Sequence, residues 1–108
     1  MASISAVILA KNEERHIAQC IKSVRFCNEI VIINDNSIDQ TAHIATKLDA
    51  KVITHQLSNN FAQQRNFGLQ KAKGEWVLFV DADEIVSNSL QKEIKKAREY
   101  LIGNMHMD

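Results

Sequence analysis

Four short apolar runs, each followed by a stretch with helical periodicity, set the strongest limit on what this chain of 108 residues can fold into. Ile4–Ala10 (ISAVILA), Glu29–Asn34 (EIVIIN), Lys51–His55 (KVITH) and Trp76–Val80 (WVLFV) are the predicted strands. Three of the four are apolar without clean alternation, the pattern of strands covered on both faces, as in a parallel sheet. Ile17, Cys20, Ile21 and Val24 recur at helical spacing and predict one helix face. Thr41, Ile44, Ala45 and Leu48 predict a second, with Ser37 or Asp39 as its N-cap. Phe61–Lys73 predicts a third, with Ala62, Arg65, Leu69 and Ala72 on one side and Lys73-Gly74 as its C-cap. Asn88–Ile102 predicts a fourth, its stripe formed by Leu90, Ile94, Ala97 and Leu101. The tail Met105–Asp108 is expected to fray.

Strand and helix thus alternate four times. Parallel strands joined by right-handed helical crossovers satisfy that order, giving an α/β fold of three layers, α/β/α, around a mostly parallel sheet. The length is that of one small domain, 1–108. In such sheets ligands bind beyond the carboxyl ends of the strands. Chemistry is therefore expected in Ala10–Arg15, Asn34–Thr41, His55–Asn60 and Asp81–Ser87.

Charge and cysteine content narrow the classes. Thirteen basic residues balance thirteen acidic ones, so the surplus needed to neutralise a nucleic-acid backbone is missing. No apolar run approaches a bilayer-spanning length, and the first residues lack the basic stretch of a secretion signal, so a cytoplasmic location is expected. Cys20 and Cys27 have no matching His/Cys pair for zinc and read as two reduced thiols. Of the dispersed histidines only His55 falls near the expected cleft, and no role is assigned to it.

The first strand ends in Ala10-Lys11-Asn12-Glu13-Glu14, without the glycines of a dinucleotide turn or a Walker loop. After the second strand, Asp35 follows the run Ile30–Ile33 and Asn34 closely enough to offer an acceptor to a base N–H or a ribose hydroxyl. The fourth strand runs into Asp81-Ala82-Asp83-Glu84. Three carboxylates in four residues repel one another unless a hard divalent cation, with a diphosphate as co-ligand, supplies the opposite charge. In extended backbone Asp81 and Asp83 point the same way and Ala82 the other. The plain alternative is a solvated acidic turn at the start of a helix. Arg65 is either a snorkelling or ion-paired arginine, or a cation reaching an acidic cleft or a phosphate.

Taken together, AVILAKNEE, IVIINDNSIDQT and FAQQRNFGLQKAKGEWVLFVDADE resemble the nucleotide-binding half of the family 2 glycosyltransferases with the GT-A (nucleotide-diphospho-sugar transferase) fold, and among them the lipopolysaccharide-core glucosyltransferases. The three blocks in this order cover residues 4–87. The resemblance implies transfer of a sugar from a UDP-sugar donor to an acceptor hydroxyl of a glycolipid or saccharide, with inversion, assisted by Mg²⁺ or Mn²⁺. It implies that Asp83 ligates the metal and that Asp81 sits at the ribose or beside the metal. It further implies that Asp35 contacts the base, that Ala10, Asn12 and Glu13 line the base and ribose pocket, and that Arg65 lies near the nucleotide.

Two departures stand out. Asn34 replaces the first Asp of the family's common Asp-Asp pair. The family's acceptor site and general base follow the acidic block, and Glu84 is too close to that block to be the base, so a general base is expected beyond Asp108. The chain is therefore expected to supply donor and metal binding. A non-catalytic binding or assembly module, associating through an exposed apolar face, is the second reading, and a receiver-like Mg²⁺-binding signalling domain the third. Lys92, Lys95, Lys96 and Arg98 read as a solvated helix face, with peripheral contact to an anionic membrane surface as the alternative.

Overall fold

The computed structural model describes residues 2–57 and 60–102, the side chains of 99–102 excepted. The expected fraying of the C-terminal tail and the packing of Leu101 therefore lie outside the described residues. Strands and helices alternate as β1 (Ile4–Ala10), α1 (Ile17–Ser23), β2 (Glu29–Asn34), α2 (Thr41–Lys47), β3 (Lys51–Thr54), α3 (Phe61–Lys71), β4 (Trp76–Asp81) and α4 (Asn88–Ile102). The strands form one sheet in the order β3-β2-β1-β4, with every pairing parallel. The chain builds from β1 outward through β2 to β3, then crosses to the other side of β1 for β4. That reversal of direction opens a crevice between the carboxyl ends of β1 and β4.

Alternate residues of each strand feed two separate cores. Ala6, Ile8, Ala10, Ile30, Ile32 and Val80 point to one face and pack with Ile17, Cys20, Ile21 and Val24 of α1 and Ala45 of α2. Ile94 of α4 joins them. Val7, Val31 and Ile33 point to the other face, where Phe67 of the third helix packs on them. The absence of strict alternation in β1 and β2 thus has the expected cause, burial from both sides.

Three details differ from the sequence reading. The helix α3 buries Gln64 and Gly68, while Ala62, Arg65 and Leu69 are exposed. Counting Ala62 and Leu69 as the apolar face placed most of the stripe on the wrong side; Ala72, at the C-cap, does pack on the second core. Gln64 can be buried because His55 satisfies its amide, and Gly68 because an added Cβ would stand 2.6 Å from Val7 Cγ1. Gly74 is not a left-handed helix cap; it has no positive φ, and α3 ends earlier at Lys71. Gly74 is there because the backbone passes against Ser5, where a Cβ would lie 2.7 Å from the Ser5 nitrogen. In α4, among the described residues of the predicted stripe, only Ile94 packs inward, while Leu90 and Ala97 are exposed. β4 is an edge strand, so the sheet offers this helix only part of a surface.

Among the described residues no helix is long and apolar enough to cross a membrane.

Candidate functional site

The carboxyl ends of the strands carry loops that are tied to one another through side chains. Asn12 and Asn36 take φ of 53° and 47°, a left-handed conformation that asparagine tolerates better than most residues. Asparagine here does the backbone work for which a dinucleotide turn uses glycine. Asn12 N donates to Ser37 Oγ (2.9 Å), and Ile38 N donates back to Asn12 Oδ1 (2.9 Å). Glu13 N donates to Thr41 Oγ1 (2.8 Å) and Glu14 N to Asp39 Oδ2 (3.2 Å). The N-cap of α2 is Gln40, which makes no side-chain cap bond, and not Ser37 or Asp39; Asp39, one residue earlier, still accepts from Thr41 N through Oδ1 (2.9 Å). Those bonds hold Asp39 below the ordinary carboxylate range: burial pushes its carboxyl up, but the Thr41 hydroxyl and amide and the Glu14 amide outweigh it. Asn34 accepts from Ser37 N (3.2 Å) and donates to Thr54 Oγ1 (3.3 Å). An ionised Asp at this position would accept from the Thr54 hydroxyl instead, so the departure from the family pair reverses the direction of this bond to β3.

Asp35 is buried at the end of β2. Its Oδ1 accepts from Leu57 N (2.9 Å), and its Oδ2 lies 3.9 Å from Lys11 Nζ. These groups, with Leu9, Phe61 and Gln64, line a cleft of about 170 Å³. Gln64 forms its inner wall; its Nε2 donates to the His55 carbonyl (2.7 Å) and its Oε1 faces His55 Nδ1 (2.7 Å). With Nε2 donating, Oε1 must accept, which places a proton on Nδ1 of His55 in this bond. The imidazole stacks on Phe67 at 3.7 Å. Phe61 stands at the mouth of the cleft with 69% of its surface exposed.

A second cleft, of about 260 Å³, is lined by Leu9, Arg65, Phe79, Val80, Asp81 and Glu84. Leu9 belongs to both, so the two clefts adjoin across the end of β1. Arg65 does not pack on the core side of α3; its guanidinium lies over the Phe79 ring, 4.6 Å from the centroid, and faces the acidic end of β4.

Here the expectation of extended backbone through Asp83 does not hold. β4 ends at Asp81, and Ala82 and Asp83 form a turn. Glu84 closes it: its amide donates to the Asp81 carbonyl (2.9 Å) and its Oε1 accepts from the Asp81 amide (2.8 Å). Ala82 is 2% exposed and anchors the turn in the core, leaving Asp81 and Asp83 in solvent. Asp83 lines neither cleft.

The charge of this turn is felt beneath it. Burial, then the charges of Glu84, Asp83, Asp81 and Glu13, push the Cys20 thiol up to about 12. Glu13 therefore adds to the same negative field as the acidic turn. Among the described residues Asp81, Asp83 and Glu84 have no ion-pair partner, and no three His, Cys, Asp or Glu side chains converge as a ready-made metal cage. Exposed, unneutralised carboxylate oxygens suit one hard divalent cation that takes its remaining ligands from a bound anion or water. Cys20 and Cys27 are both free.

The structure thus brings Asp35 into one cleft and Arg65 and Asp81 into its neighbour. Ala10 is buried at the strand end, Asn12 and Glu13 lie in the loop laced to α2, and Asp83 stands in the turn. Lys11, Leu57, Phe61 and Gln64 were not predicted as site residues, and Glu84 was read only as a member of the acidic block. Phe61 was the most findable, as an aromatic opening a helix directly after a strand-end loop. The others needed the fold.

The sequence model of glycosyl transferase family 2 matches residues 5–104. An uncharacterized glycosyltransferase of Rickettsia typhi, RT0209, is 38% identical over 109 residues, taking in 100% of this chain and 36% of the relative. The lipopolysaccharide core biosynthesis glycosyltransferase LpsC of Rhizobium meliloti is 31% identical over 93% of this chain and 40% of its own length. Among solved structures, S. aureus TarS 1–349 superposes with a TM-score of 0.75 at 27% identity, over 94% of this chain and 32% of that one. Glucosyl-3-phosphoglycerate synthase from Mycobacterium tuberculosis, in complex with Mn²⁺, UDP and phosphoglyceric acid, superposes with a TM-score of 0.67 at 25% identity, over 78% and 34% of the two chains. The chain spans a little over a third of the length of the Rickettsia relatives.

Proposed function

The chain belongs to glycosyl transferase family 2, and from that premise we propose that it grips the nucleotide diphosphate of a UDP-sugar donor, glucose being the sugar, for inverting transfer to a hydroxyl of a lipopolysaccharide core or related envelope glycan. One observation carries the reading. Two adjoining clefts at the strand ends offer a buried acceptor carboxylate in one, and a cation beside an exposed acidic turn in the other. That is the order of chemistry along a nucleoside diphosphate, base first and phosphates second.

In this assignment Asp35 accepts an N–H of the base, and Phe61 and Leu57 cover its apolar face. Ala10, Asn12 and Glu13 shape the loop at the ribose side. Arg65 pairs with the diphosphate, and Asp81 and Asp83 would hold Mg²⁺ or Mn²⁺. The cation, when bound, offsets charge that builds on the departing diphosphate. The synthase from M. tuberculosis, solved with Mn²⁺ and UDP, supports this choice of ligands, and LpsC supports the choice of acceptor. We assign the acceptor site and general base to the further length that the relatives possess.

Two further partner readings draw on surface residues. Lys95 sits over the Phe26 ring at 5.7 Å and Arg98 lines a groove beside Trp76, so half of the basic face expected to meet a membrane is engaged with the protein itself. Self-association is the better supported of the two, because Trp76, Val77, Leu78 and Phe79 on the edge strand are only half-buried.

Calorimetric titration of UDP with and without Mn²⁺ tests the donor reading. Tighter binding with the metal, and loss of that gain in Asp83→Ala, is expected. A wild-type chain that binds UDP no better with Mn²⁺ overturns it.

A further inference from the structure

The loop that carries the carboxylates is fixed at both ends by side chains far from it in sequence. At its start, the Asp81 carbonyl accepts from Cys20 Sγ (3.4 Å) as well as from Glu84 N. At its end, Val86 N donates to Ser23 Oγ (2.9 Å), a buried bond across 63 residues of chain, and Val86 O accepts from Gln91 Nε2 (3.0 Å). Ser23 Oγ in turn donates to the Cys20 carbonyl (2.7 Å). Its hydroxyl thus donates once and accepts once, at 6% exposure. Ala82 and Val86 fill the core beside these bonds at 2% and 6% exposure, while Asp83, Glu84 and Ile85 between them project into solvent.

A carboxylate in an exposed turn has many positions open to it, and a cation with few protein ligands binds only as tightly as those ligands are held in place. Nothing about Asp83 itself restrains it. Its restraint comes from its neighbours: the Glu84 closure, the buried Ala82, the pairing of Asp81 with β1, and the two anchors, both of which lead to α1. We propose that Ser23, with Cys20 one helical turn before it, is a positioning residue for the acidic turn, setting the separation of Asp81 and Asp83 by pinning both ends of 81–86 to a single helix. This rests on the reading of that turn as the cation site.

Ser23→Ala leaves the Val86 amide buried without a partner, and Gln91→Ala removes the second tie at the same residue from a helix surface. In the 108-residue chain, Ser23→Ala is expected to cut the gain in UDP affinity that Mn²⁺ supplies by about tenfold, and Gln91→Ala by about threefold, with metal-free UDP affinity unchanged in both. Metal-free hydrogen exchange of the amides in 83–86 is expected to quicken in both variants. A purely structural role would lower the melting temperature and leave the metal gain intact. Should Ser23→Ala fail to fold, Gln91→Ala decides alone. Retention of the wild-type Mn²⁺ gain in the folded variants overturns the positioning role while the donor reading stands. No gain in the wild type overturns the cation reading, and this inference with it.

Discussion

Among the described residues one face of the sheet gathers fourteen buried apolar side chains with α1, α2 and α4, while the other gathers three, with α3 as the helix against them. The clefts open on the second face. Leu9, Phe79, Gln64 and Arg65, which line them, all belong to β1, β4 or α3 on that side. The anchors of the acidic turn, Cys20, Ala82 and Val86, belong to the first. The difference separates two requirements that compete for the same surface. A ligand needs room beside the strand ends, which a fully packed face cannot give, and its charged contacts need a rigid base, which a thin face cannot give. Placing them on opposite sides of one sheet satisfies both.

The largest test of that contrast is truncation on each side. Ile32→Ala, at a fully buried position of the thick face, is expected to cost about 3–4 kcal/mol in denaturant melts. Val77→Ala, half-buried on the thin face, is expected to cost less than about 1.5 kcal/mol. Equal losses would show that the second face is as firmly packed as the first.

Two glycines sharpen the same contrast. At Gly74 a methyl group would meet Ser5 N and Oγ, each at 2.7 Å, and backbone cannot yield. Gly74→Ala is expected to destabilise by about 2 kcal/mol. At Gly68 the obstacle is the buried, β-branched Val7 side chain, with Ile33 Cγ1 also at 3.4 Å, so room comes only from a small shift of side chain or helix. The gain of about 1 kcal/mol in helix propensity offsets part of that cost, so Gly68→Ala should lose less than Gly74→Ala. The reverse order would mean that α3 is packed too tightly to move.

Apolar spacing reads α1 and α2 on the thick face correctly, but misplaces the packed side of α3 on the thin face and part of the α4 stripe at the sheet edge. Strand bounds and the faces of α1 and α2 follow from apolar spacing because those positions are filled by Ile, Val and Ala in contact with one another. α3 meets the sheet through Gln64, Phe67 and Gly68, and two of these are invisible to a hydrophobic pattern. Gln64 is buried only because His55 is nine residues away and correctly turned, which no periodicity encodes. The site divides the same way. Asp35, Asp81 and Asp83 were legible as carboxylates at strand ends, whereas Lys11, Glu84 and the anchors Cys20 and Ser23 acquire their partners only through the fold.

The thiols extend the contrast to pH. Burial, then the acidic turn, raises Cys20 to about 12; burial, partly opposed by the Arg98 charge, raises Cys27 to about 11. An unfolded thiol ionises near its ordinary value, so above about pH 9 the unfolded state holds fewer protons than the folded one. Stability is therefore full below that pH and falls as pH rises toward 11 and 12. Base titration followed by circular dichroism should show this loss, reduced in Cys20→Ala. An unchanged alkaline slope in that variant would mean that burial and the acidic turn do not raise Cys20.

The smallest expected effect lies where the thin face is tied back to the sheet. Glu29 Oε1 accepts from Ser5 Oγ (2.6 Å) and from Lys73 N (2.8 Å), and Gly74 N donates to Ser5 Oγ (2.8 Å), so the segment returning from α3 to β4 is held by polar bonds at this corner. Burial pushes the Glu29 carboxyl up, but the Lys73 amide and Ser5 hydroxyl, then the charges of Lys51 and Lys73, outweigh it and hold it below the ordinary range. The ionised form is thus favoured by folding. Its contribution is complete above the unfolded value near 4.3 and is lost as pH falls through the lower folded value. Water screens a carboxylate this near the surface, so the contribution should stay under about 1 kcal/mol. Glu29→Gln should therefore flatten the stability curve between about pH 5 and 3 while leaving the melt of Ile32→Ala, on the opposite face, additive with it. A coupled response would mean that the corner transmits through the sheet and that the two faces are not independent.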